Sequence, residues 1–113
     1  MFEVDYYDLP NGEKPVEIFI DTLEPKMQSK AIGRIALLKE YGNTLREPFS
    51  KAMGNGIFEL RIEFANDITR IFYFFMVGNK AILTNGIIKK KEKTPKTALA
   101  LARKYKEEYE GRF

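Results

Sequence analysis

Lysines at positions 89, 90, 91, 93 and 96, separated only by Glu92, Thr94 and Pro95, form a dense run of cations between an apolar stretch and a helix-forming segment. Residues 86–106 hold eight Lys and Arg against one Glu, a local charge of +7, whereas the rest of the chain holds 11 basic and 15 acidic residues, or −4. The net charge of +3 therefore conceals a one-sided molecule. A lysine run alone is most often a solvated face. At a strand-to-helix junction it suits a phosphate, because a helix start adds free amides and a positive dipole end to the side-chain cations.

Other stretches offer groups of the same kind. Arg61 alternates with Glu59 and Glu63, which is also the pattern of a cross-strand charge ladder. Arg70 stands inside an apolar run, where an arginine must find a partner or line a cleft. Lys51 lies in a glycine-containing segment, and Tyr73 and Thr94 add hydroxyl donors. Gathered together, Arg61, Arg70, Lys89, Lys90 and Lys93 would stabilise the charge that grows on a scissile phosphate, with Lys51, Tyr73, Lys91, Thr94 and Lys96 as further substrate contacts. RNA is the substrate for which a cation-only site suffices, since its 2′-hydroxyl is the nucleophile and neither metal nor cofactor is needed. Proton transfer is the harder step: a lysine base must be shifted down from about 10.4, and crowding among neighbouring lysines works in that direction.

The chain contains no cysteine and no histidine, which removes disulfides, thiolate nucleophiles, Ser-His catalysis and the usual soft metal ligands. A cytoplasmic location fits this composition. The longest apolar run, residues 71–77, is far short of the roughly 20 residues that span a bilayer, so no membrane role is expected. At 113 residues the chain is expected to be one domain, residues 1–113.

The elements that must position these groups follow from periodicity. Residues 2–8 read as a first strand. Pro15 opens a short helix with Val16, Phe19, Ile20 and Leu23 on one face, and Met27, Ala31, Ile35 and Leu38 stripe a second helix that ends at Gly42. Residues 43–56, with Pro48, Gly54 and Gly56, read as a long loop. Strands follow at 57–64, where Phe58, Leu60, Ile62 and Phe64 alternate with charge, at 68–77, and at 80–88. Thr94 is expected to cap a last helix with Pro95 at its first position and Ala98, Leu101, Ala102, Tyr105 and Tyr109 on its inner face. The order β-α-α-β-β-β-α predicts an α+β fold with a small, mainly antiparallel sheet and the helices packed on one face. Strand 71–77 would also present an exposed edge that favours a partner.

The succession Lys51-x-x-Gly54-x-Gly56-Ile57-Phe58-Glu59-Leu60-Arg61, Arg70-Ile71-Phe72-Tyr73-Phe74 and Gly86-Ile87-Ile88-Lys89-Lys90-x-x-Lys93-Thr94-Pro95 resembles the phage-derived, HigB-like branch of the RelE/HigB toxin superfamily. The likeness runs from about Val16 to Tyr109. It implies a RelE-like fold, a type II toxin that cleaves mRNA on the ribosome without metal and so inhibits translation, and a co-encoded helix-turn-helix antitoxin. It also implies that Arg61 and a lysine among 89, 90 and 93 stabilise the phosphate, with Lys51 and Arg70 in support. Relatives often carry a histidine where this chain has Asn85, so proton transfer here falls to a lysine, to Tyr73, or to the substrate and ribosome. Two other readings fit the same residues: a non-catalytic, ParE-like gyrase poison, and a basic RNA-binding phage accessory protein.

Overall fold

A computed structural model describes residues 2–89 and 94–113. Five strands and three α-helices follow one another as β1 (Glu3–Tyr6), α1 (Pro15–Asp21), α2 (Pro25–Tyr41), β2 (Ser50–Gly54), β3 (Ile57–Phe64), β4 (Asp67–Met76), β5 (Lys80–Lys89) and α3 (Lys96–Glu110), with one 3-10 turn at Gly42–Thr44. The sheet order is β1-β5-β4-β3-β2, antiparallel except where β1 runs parallel to β5. The α+β class and the mainly antiparallel sheet are as the sequence indicates.

Three expectations are corrected. The segment 43–56 is not all loop: its second half is β2, an edge strand that pairs with β3. Lys51, Ala52, Gly54 and the turn residue Asn55 are exposed, so β2 has no apolar alternation to reveal it. Gly54, Asn55 and Gly56 all take positive φ, which makes the two glycines the chemistry of the β2–β3 turn. Second, the helices cover both faces. Along β4, Ile71 and Tyr73 pack with Val16, Ile20, Met27, Ala31, Ile35 and Leu38 of α1 and α2, whereas Phe72 packs with Ala98 and Ala102 of α3 and Phe74 with its Tyr109. Third, β4 offers no edge, because β3 and β5 flank it; the edges are β1 and β2.

Local rules account for the helices. Pro15 and Pro25 each open their helix, and the Glu24 carboxylate accepts the Met27 N–H at 2.9 Å, so the residues that look like a break are a cap. Helix α3 differs at its start: its N-cap is Pro95, no side chain among the described residues caps it, and Thr94 turns elsewhere. Its inner face is Ala98, Leu99, Ala102, Tyr105 and Tyr109, while Leu101 is exposed. Gly86 is a packing residue, since a Cβ there would meet the Phe19 ring of α1 at 2.5 Å.

Two ties fix α3 on the sheet and so place its start. Asn85, buried in β5, donates its Nδ2 to the Ala98 carbonyl at 3.1 Å and accepts from Thr84 at 2.8 Å. At the other end, Tyr7 stacks on Tyr105 and donates to Glu108 at 2.8 Å, while Arg112 bridges Glu108 and Asp8 at 2.7 Å and lies over the Tyr7 and Tyr109 rings. Burial and the bond to Glu108 push the Tyr7 phenol up to about 12, so it stays a neutral donor.

The Arg112 hydrogen bonds hold both Asp8 and Glu108 below their ordinary carboxylate values. A carboxylate depressed in the folded state adds stability above its unfolded value and loses it as pH falls through the folded one. Arg112→Ala should therefore be less stable than wild type at pH 7, and the gap should close as the pH drops below about 4. Urea titrations of the two proteins at pH 7 and pH 3 check this, and a gap that stays constant would contradict it.

Candidate functional site

The cation-bearing face is the one that α3 covers in part. Arg61 of β3 and Arg70 of β4 are register partners, and Ile87 of β5 is in turn opposite Arg70, so the three residues form one row across the sheet. Two guanidiniums directly opposite repel each other unless a counter-charge intervenes. Glu59, two residues before Arg61 on the same face, supplies it. Its Oε1 lies 3.1 Å from Arg70 Nε and its Oε2 lies 3.4 Å from Arg61 Nε. The Thr94 hydroxyl donates to the same Oε1.

Burial separates the roles. Arg70 is fully buried and Glu59 is 2% exposed, whereas the Arg61 side chain is 14% exposed. Arg70 and Glu59 are thus the fixed base of the site, and Arg61 is the arginine at the surface. Arg70, expected among the phosphate-stabilising cations, is buried beneath Arg61 and does not reach the surface of this face. The Glu59–Arg61–Glu63 pattern is no surface ladder, because Glu59 points into a buried cluster and Glu63 stays exposed.

The remaining candidates divide clearly. Lys51, on β2, is the register partner of Glu59 and shares its face, exposed. Lys89, exposed at the end of β5, is opposite Ile68, itself opposite Glu63. Two strand spacings and a two-residue offset put its Cα roughly 12 Å from that of Arg61, within joint reach of one phosphate for two long side chains. Lys96 is exposed at the first turn of α3, whose uncapped amides face the same region as Thr94. Lys90, Lys91 and Lys93 lie outside the described residues.

Tyr73 does not belong to the site. It points to the opposite face, stacks on Phe58 at 5.5 Å between ring centres, and shares a 2.5 Å hydrogen bond with Ser50. Burial raises its phenol further from neutrality, only partly offset by Ser50 and Arg46, and its hydroxyl lies on the face away from Arg61 and Arg70. Period two decides this, since a one-residue step from Phe72 crosses the sheet. Thr94, expected as a helix cap, instead ties the α3 approach to Glu59.

Sequence reasoning missed Glu59, Lys30, Arg34 and Phe49. Glu59 looked like one of several surface acids, and nothing in its spacing marked it as the buried counter-ion. Lys30 and Arg34, four apart on α2, flank its buried stripe; their helical spacing was the available signal. The Arg34 guanidinium lies 4.7 Å from the Phe49 ring centre and donates to the Arg61 carbonyl at 2.5 Å. Lys30, Arg34, Pro48, Phe49, Arg61 and Glu63 line a groove of about 360 Å³.

Compared with known protein families, residues 18–107 match the model of the phage-derived Gp49-like proteins. The chain belongs to this family. The Gp49-like family is associated with the toxins of toxin–antitoxin modules, which makes an antitoxin the partner to expect. No curated protein sequence matches the chain. The matched span of the Gp49-like domain runs from α1 to α3 and includes every described candidate residue of the basic face. No helix among the described residues is long and apolar enough to cross a membrane.

Removing Glu59 breaks a buried ion pair with Arg70, a change that typically costs about 3–5 kcal/mol. Glu59→Ala should lose that much unfolding free energy in a urea titration at pH 7, and Arg61→Ala clearly less, because Arg61 reaches solvent and its loss leaves the Glu59–Arg70 pair in place. Equal losses for the two would contradict the division between base and surface.

Proposed function

We propose that this protein is the toxin of a type II toxin–antitoxin module and that it cleaves mRNA on the ribosome without a metal. The observation that supports this reading best is the solvent-reaching Arg61 anchored by Glu59 and Arg70, with Lys51, Lys89 and the uncapped start of α3 on the same face. In this reaction the 2′-hydroxyl attacks the adjacent phosphorus, the 5′-oxygen of the next nucleotide leaves, and a 2′,3′-cyclic phosphate forms. Charge builds on the nonbridging oxygens, where Arg61 and Lys89 neutralise it from fixed positions. Glu59 and Arg70 act through Arg61: Glu59 fixes its guanidinium, and Arg70 holds Glu59 in place.

Proton transfer falls to the lysine run from Lys89 to Lys93, one member taking the 2′-hydroxyl proton and another returning a proton to the departing 5′-oxygen. The resemblance to RelE/HigB toxins gives the same assignment for Arg61 and the lysines. Asn85, at the position where relatives often have histidine, is committed to α3 and takes no part. The antitoxin is a helix-turn-helix protein that covers the basic face.

Arg61→Ala should lower the single-turnover rate of mRNA cleavage on programmed ribosomes by at least about 100-fold and abolish growth arrest, with unchanged circular dichroism. The products should carry 2′,3′-cyclic phosphate and 5′-hydroxyl ends. Undiminished toxicity of the variant, or DNA breaks with intact mRNA on induction of the wild type, would overturn the proposal.

A further inference from the structure

The groove beside Arg61 contains more than a phosphate needs. Phe49 is 38% exposed at its mouth, although an aromatic side chain of that size is normally buried. Its backbone is fixed by the Phe49 N–H to Arg46 carbonyl bond at 3.0 Å and by the Arg61 N–H, which donates to the Phe49 carbonyl at 2.9 Å. The Phe49 backbone therefore runs one strand spacing, about 4.8 Å, from the strand that bears Arg61, and both residues line the groove. Arg34 braces it at 4.7 Å and also holds the Arg61 carbonyl. An exposed ring backed by a guanidinium is a stacking platform, and it shares its groove with Arg61.

We propose that this groove binds the nucleobase adjoining the scissile phosphate, stacked on Phe49, with Arg34 as the residue that positions both the ring and Arg61. The inference rests on the proposed RNA cleavage and names the substrate contact that accompanies it. The groove's volume of about 360 Å³ falls at the small end of ligand pockets, which begin near 300 Å³, and suits one base rather than a helix of a partner. Glu63 closes one side with an acceptor that suits the amino or imino edge of a base and disfavours a second phosphate. Lys30 lies 5.9 Å from the Phe64 ring centre on the other flank and meets the backbone beyond the base.

The test uses the full chain and a short fluorescent RNA blocked by a 2′-deoxy sugar at the cleavage site, in two forms: one intact, the other lacking the base next to the scissile phosphate. Wild type should bind the intact RNA about tenfold more tightly than the abasic one. Phe49→Leu should erase the difference, Phe49→Tyr should keep it, and Arg34→Ala should reduce it. Arg61→Ala should instead weaken both RNAs alike. Equal binding of the two RNAs by wild type would overturn the stacking inference while leaving the phosphate site standing. Unchanged affinity of Arg61→Ala for both RNAs would sink the phosphate reading on which it rests. A preference that survives in Phe49→Leu, together with loss of antitoxin binding by that variant, would assign the groove to the protein partner and overturn the inference.

Discussion

One carboxylate holds the basic face together. Glu59 lies shut between Arg70 and Arg61, takes the Thr94 hydroxyl as well, and so joins β3, β4 and the approach to α3 at one point. Burying these charges costs desolvation that their attraction only partly offsets, so the cluster is not there for stability alone. Its effect is positional. Without it, the cross-strand arginines would repel each other and the surface guanidinium would have no fixed direction.

The rest of the fold serves that arrangement. Period-two alternation sends Ile71 and Tyr73 to the α1–α2 side and Arg70 and Phe72 to the α3 side, so one strand supplies both a core and the base of a site. Asn85 and the Tyr7–Glu108–Arg112 cluster pin α3 at both ends, which leaves its uncapped start beside Thr94. Helix α2 approaches from the other face, and Arg34 reaches the Arg61 backbone past the end of β2. Membership of the Gp49-like family points to a toxin–antitoxin module, and this geometry supplies the basic face on which the proposed function rests.

Much of this was legible in the sequence where burial imposes a period. The stripes of α1 and α2, the alternation of β3 and the apolar β4 were all readable, because each packs a continuous apolar face. Strand β2 was not, since an edge strand with solvent on both sides needs no apolar pattern. The side of the sheet that α3 covers was hidden for a different reason: Ala98 and Ala102 show that α3 packs closely, but not on which face. Arg61 and Arg70 could be picked out as a pair, yet Glu59 could not be told from Glu63, as both alternate with Arg61 and only the depth of β4 beneath them decides which is buried. Tyr73 was misplaced because its hydroxyl was weighed and its parity was not.

The central claim is that Glu59 and Arg70 act as one unit beneath Arg61. A double-mutant cycle on unfolding free energy, with Glu59→Gln, Arg70→Met and the two combined, measures this directly. The account predicts a coupling of at least about 1.5 kcal/mol, with the double variant more stable than the sum of the single losses implies. Additive losses, with coupling below about 0.5 kcal/mol, would show that the two residues act independently and would contradict it.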